Sequence, residues 1–183
     1  MKNLFFLFLP LLVISCKGVE QHRTGIEELS ANWDTTTKNV TDFQAMVSTD
    51  LTNYTKTLAA MQPDEASRAK MTPDQVTTWE ASQKTVTDAL GGYAALQQTV
   101  NDFTTTWSEK SAEVAALKEG LANGKIEGDV NAKLTELNTM IATANENLAQ
   151  WKSTYATVKG SVDASMAGLQ QGSALMTTPP MKK

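Results

Sequence analysis

A chain of 183 residues, 41% of them apolar, is long enough for one domain with a real core, and its net charge of −4 argues against holding nucleic acid or an anionic lipid surface by charge. One histidine and one cysteine leave little for a zinc site or for a Cys/His or Ser/His nucleophile. With no P-loop and no GxGxxG in the chain either, we expect no enzyme, no metal and no bound cofactor.

The chain opens with Lys2 and then runs apolar from Leu4 to Ile14, closing on the small residue Ser15 and on Cys16, the single thiol. This is the layout of a secretory signal, and its apolar run is too short for the ~20 residues that a spanning helix needs. Val13-Ile14-Ser15-Cys16 resembles the lipobox of bacterial lipoproteins. That resemblance implies removal of residues 1–15, a diacylglycerol on the Cys16 sulfur and an acyl group of the palmitate type on its freed amine. Each buried methylene would add ~0.8 kcal/mol, so two or three chains would hold the protein firmly. Lys17, where an aspartate does not follow the cysteine, implies by resemblance to Gram-negative lipoproteins an outer-membrane address, periplasmic or surface-exposed. A serine before the cysteine is similar to usage in the Bacteroidota. Losing Lys2 with the signal takes the net charge from −4 to −5 over the remaining 168 residues.

Residues 16–23 read as a lipidated tether, with His22 solvated because nothing nearby would orient it. From there one theme governs the chain. Ile26, Trp33, Val40, Val47, Tyr54 and Met61 stand seven apart. So do Trp79, Val86, Tyr93, Val100, Trp107, Val114 and Leu121, and then Leu134, Ile141, Leu148, Tyr155, Val162, Leu169 and Met176. Companion residues three or four positions away, such as Leu29, Phe43, Leu96, Phe103, Leu137 and Trp151, widen each ladder into one helix face. Sustained heptads predict three long helices over 24–61, 73–121 and 129–176, with a left-handed supercoil.

The stops agree with the ladders. Thr72-Pro73-Asp74-Gln75 is a helix start with a capping box. Gln62-Pro63-Asp64-Glu65 marks a corner with one short helical turn through residues 66–70, and the acid pair Asp64-Glu65 reads as helix-start charge rather than as an acid and a base. Gly120, Gly124 and Gly128 separate the second helix from the third, with Asp129 as the next cap. Gly91-Gly92 sits inside the second helix, where two glycines cost ~2 kcal/mol against alanine, yet the ladder keeps its phase from Val86 to Val100. A continuous helix is therefore expected, and four helices result if the chain breaks there.

Several smaller patterns carry both a functional and a packing reading. Trp33 to Asp42 and Trp79 to Asp88 share the pattern W-[DE]-x-x-x-K-x-V-T-D, and all four tryptophans have a valine seven residues on. Wide core layers explain this more simply than a ligand cage. Met46, Met61, Met71, Met140, Met166, Met176 and Met181 read as core filling rather than soft-metal ligands. Asp34-Thr35-Thr36 resembles the O-glycan acceptor of exported Bacteroidota proteins. Residues 177–183 form a tail ending in Lys183, and a chain with a lipid site at one end and a lysine at the other is similar to murein lipoproteins, which join the wall through that lysine.

The expected protein is all-α: an elongated antiparallel three-helix, coiled-coil-like bundle over 24–176 on a lipid anchor at Cys16. The expected role is a non-enzymatic scaffold, accessory or interaction subunit of the cell envelope, with a protein partner of unknown identity, no nucleic acid and no metal. The rivals are a carrier holding a lipid or other apolar ligand among Trp33, Trp79, Trp107 and Trp151, and a wall tether through Lys183.

Overall fold

The computed structural model describes residues 17–177, with side chains over 18–173. Cys16, the signal-like residues 1–15, and most of the tail, including Lys183, lie outside the described residues. The described chain is α-helical without strands, in the order α1 (Lys17–Glu20), α2 (Arg23–Ala60), α3 (Glu65–Arg68), α4 (Pro73–Ala122) and α5 (Val130–Thr177). The three long helices match the expected spans 24–61, 73–121 and 129–176 within one residue at each end.

The helix ends form as the local chemistry dictates. The Gln75 backbone N–H donates to Thr72 Oγ1 at 3.3 Å while Gln75 Oε1 accepts from the Thr72 N–H at 2.8 Å, a reciprocal capping box at the start of α4. Asp64 caps the short α3 by accepting from the Ser67 N–H at 2.6 Å, and Asp129 caps α5 by accepting from the Ala132 N–H at 3.1 Å. After α4 the chain reverses through Gly124 and Gly128, with φ of 68° and 82°, conformations that side chains other than glycine rarely adopt. The Lys125 N–H reaches back to the Gly120 carbonyl at 2.9 Å. A Cβ on Gly120 would fall 2.8 Å from both the Lys125 carbonyl oxygen and Ile126 Cγ1, so this close return requires glycine.

Two corrections concern the N-terminal stretch and the corner. The segment expected as a lipidated tether carries the helical turn α1, and Val19 within it is 9% exposed. The reason was in the spacing: Val19 lies seven residues before Ile26 and extends the first ladder upward by one rung. The short turn expected over 66–70 occupies Glu65–Arg68, starting one residue earlier and ending two earlier, with Asp64 as its cap.

The long helices divide into two compact units, each taking a segment of α2, of α4 and of α5: one over 17–38 with 105–145, the other over 39–104 with 146–177. In the second unit α2 runs antiparallel to α4 and parallel to α5, since Gln44 meets Asn101 while Asp50 meets Tyr93 and Tyr155, and Tyr54 meets Lys159 and Asp163. Its core includes Val47, Trp79, Val86, Tyr93, Val100, Leu148, Trp151 and Val162. In the first unit Trp33 meets Ser111 and Thr37 meets Trp107, again antiparallel, over a core that includes Ile26, Leu29, Val114, Leu117, Leu137 and Ile141. Every rung of the second ladder is buried. The first ladder loosens at Tyr54 and Met61, and the third at Leu134 and Tyr155, which are half-buried.

Helix α4 passes through Gly91-Gly92 without a break. The two glycines differ in their reasons. Gly91 faces open space, whereas a Cβ on Gly92 would meet Val158 Cγ2 at 3.0 Å, so Gly92 lets α5 approach closely.

Candidate functional site

Two hydrogen-bonded aromatic layers stand out, one in each unit. In the second unit all three tyrosines of the chain converge, one from each long helix: Tyr54, Tyr93 and Tyr155. Their rings lie 5.6 Å (Tyr54 to Tyr93) and 5.9 Å (Tyr93 to Tyr155) apart. Asp50 Oδ2 accepts from the Tyr155 hydroxyl at 2.6 Å and, at the limit of a hydrogen bond, from the Tyr93 hydroxyl at 3.5 Å. The Tyr54 hydroxyl donates to Asp163, and Lys159 Nζ donates to the Tyr54 oxygen at 3.0 Å and to Asp163 Oδ2 at 2.8 Å.

The electrostatics follow from this arrangement. Burial is the largest influence on all three phenols and holds each above the ordinary tyrosine range; the Asp163 carboxylate adds to this at Tyr54 and Asp50 adds to it at Tyr155. Tyr93, with no exposed surface, moves furthest. The hydrogen bond from Lys159 keeps the Asp163 carboxyl below its usual range, with Tyr54 reinforcing it, and the same ion pair raises Lys159. Each phenol is therefore held neutral, with an aspartate oxygen as its acceptor.

In the first unit Trp33 and Trp107 stack face to face, with centroids 3.7 Å apart and planes 10° from parallel. Each indole N–H crosses to the other helix: Trp33 Nε1 donates to Ser111 Oγ at 3.1 Å and Trp107 Nε1 donates to Thr37 Oγ1 at 2.8 Å. Both hydroxyls in turn donate to the carbonyl four residues back, which belongs to the stacked tryptophan on their own helix. The sequence signal is a serine or threonine four positions after tryptophan, present at Trp33 and Trp107, whereas Gln83 and Tyr155 hold that position after Trp79 and Trp151.

The remaining sequence candidates divide as follows. Trp151 packs edge-on to Phe103 and near-parallel to Phe43, at 5.2 and 6.3 Å. Trp79 is buried, and its Nε1 has no hydrogen-bond partner. The tryptophans are thus split between two units, and the groove described below is lined by none of them. His22 is half-buried at the start of α2, 3.1 Å from the Gln21 amide. In the Asp34-Thr35-Thr36 stretch the backbone is helical, Thr35 Oγ1 bonds the Ala31 carbonyl at 2.9 Å, and Thr36 is buried. In the repeat pattern, Lys84 pairs with Asp88 at 2.6 Å on the exposed surface, an ordinary i,i+4 contact. Met166 is buried, Met61, Met71 and Met140 are half-buried, and Met46 is exposed.

Among the described residues no cluster of three or more His, Cys, Asp or Glu is placed to share a metal ion, and no helix is long and apolar enough to cross a membrane. An open groove of about 370 Å³ runs between the start of α2 and the end of α4, over Ile26 and Leu121, with Arg23, Glu27, Asp34 and Lys118 around it. Arg23 is already engaged there by Glu20 at 2.6 Å and Glu27 at 3.3 Å. No protein-family profile, curated protein or solved structure matches the chain.

Proposed function

We propose that this chain is a lipoprotein of the bacterial cell envelope, anchored in the outer membrane through acyl groups on Cys16, and that it serves without catalysis as a scaffold or accessory subunit for another protein. The observation that carries the anchor is the sequence Val13-Ile14-Ser15-Cys16 behind its apolar run, with the only thiol of the chain at the cleavage position. What supports a scaffold over a carrier is the way the aromatic residues are used. Trp33 and Trp107 close on each other at 3.7 Å, and Trp151 packs against phenylalanines, so the side chains that a carrier would turn toward an apolar guest are engaged in internal packing. In the hydrogen-bonded layers the indole and phenol groups likewise donate to side chains of neighbouring helices.

Two measurements test this reading. Intact mass of the N-terminal peptide from membrane-purified protein should show cleavage before Cys16 and the added mass of a diacylglyceryl and an acyl group; an unmodified thiol would remove the anchor and the location together. Gentle solubilisation followed by affinity capture should recover a stoichiometric protein partner. Extraction of a co-purified lipid in place of that partner would favour the carrier, and a fragment retained covalently on digested cell wall would favour the tether through Lys183.

A further inference from the structure

The three ladders leave a question that the tyrosine and tryptophan layers answer. A helix whose apolar rungs recur every seven residues can slide along its neighbours by one heptad, about 10 Å, and still present an apolar rung at each layer. The connection between α2 and α4 spans residues 61–72; Met61 and Met71 pack against the core and the exposed Arg68 pairs with Glu80 at 2.6 Å, while α3 buries none of its four residues.

We propose that the register of α2 is selected by the two hydrogen-bonded layers and not by the hydrophobic ladders. In the observed register Asp50 stands between the hydroxyls of Tyr93 and Tyr155, and Tyr54 reaches Asp163 and Lys159. A slide of seven residues one way puts Phe43 where Asp50 stands, leaving the fully buried Tyr93 hydroxyl against a ring with no acceptor. A slide the other way brings Thr57, a neutral hydroxyl, to the place of the carboxylate, and Met61 to the place of Tyr54. In the first unit the same slides carry Ile26 or Val40 into the place of Trp33, and Ser111 loses its indole donor. Polar groups at ladder positions of heptad bundles characteristically act in this way, giving up some stability for a unique pairing.

The test uses the full chain with Cys16→Ser and paired spin labels at exposed positions 53 on α2 and 161 on α5, within the second unit. The parent should give one distance distribution. Removing both layers, by Tyr54→Phe, Tyr93→Phe and Tyr155→Phe together with Asp50→Leu, Thr37→Ala and Ser111→Ala, should add a second population consistent with an axial offset of about 10 Å, amounting to a tenth of the molecules or more. A folded variant that keeps the single parental distance overturns the proposal. Should that variant not fold, the milder set Tyr54→Phe, Tyr93→Phe, Tyr155→Phe, Thr37→Ala and Ser111→Ala, which retains ring volume and leaves Asp50 able to turn to water, decides in the same way. Restoring Ser111 and Thr37 alone measures the share held by the first unit.

Discussion

At the scale of single residues, the glycine pair in α4 separates two effects that composition alone would merge. Gly91→Ala adds a methyl group to open space and removes backbone freedom from the unfolded chain, so it should raise stability by about 1 kcal/mol in denaturant titrations. Gly92→Ala has the same propensity gain but meets Val158 at 3.0 Å, and it should lose most or all of that gain. A Gly92→Ala, Val158→Ala double variant measures the clash, as a double variant less destabilised than the two single changes predict. The tryptophan layer gives a second residue-scale prediction. Ser111→Ala strands the Trp33 N–H in a buried site and should cost about 1–3 kcal/mol, whereas the same change made in a Trp33→Phe background should cost clearly less. Equal losses in both backgrounds would mean that the hydrogen bond carries no energy.

At the scale of elements, the boundaries are set by a few polar side chains and glycines. Asp129→Ala removes the acceptor for the Ala132 N–H and should cost about 1 kcal/mol, with hydrogen exchange rising first in the opening turn of α5. Gly124→Ala forces a side chain into φ of 68° and should cost about 1–2 kcal/mol. These ends were legible in the sequence because capping is local: Thr72 and Gln75, or Asp129 after Gly128, meet within one turn whatever the rest of the chain does. The helical turn at Val19 was legible by the same seven-residue rule, but its lone rung stands before a turn and beside charged neighbours. What no local signal announced was the burial of Ser30 and Thr36, polar residues that lie beside ladder rungs and are covered only once the helices pack.

At the scale of the whole molecule, the tyrosine layer predicts how stability responds to alkali. The phenols of Tyr54, Tyr93 and Tyr155 are held above their ordinary value by burial, so the folded chain binds their protons more tightly than the unfolded chain does. Their contribution is fully present below about pH 10, the value for a free tyrosine, and is lost as pH rises above it, because the unfolded chain then releases protons that the fold retains. Denaturation midpoints should therefore fall above pH 10, and phenolate absorbance should appear with unfolding rather than ahead of it. In Tyr93→Phe this alkaline loss should shrink, although the variant starts from a lower stability at neutral pH. A phenolate signal that titrates freely in the folded protein and is lost in Tyr93→Phe would contradict the burial of Tyr93.

The sequence by itself determined that the chain is helical, where its long helices begin and end, and which stripe of each turns inward. Helix periodicity, capping and glycine turns are short-range physics, decided within a few residues. Only the tertiary structure decided which rungs meet: Trp33 on Trp107, the three tyrosines on Asp50 and Asp163, Gly92 beneath Val158. The physical reason is the repetition itself. Ladders of equal period are compatible with many pairings, and the choice among them rests on hydrogen bonds and close contacts between residues that lie dozens of positions apart in the chain.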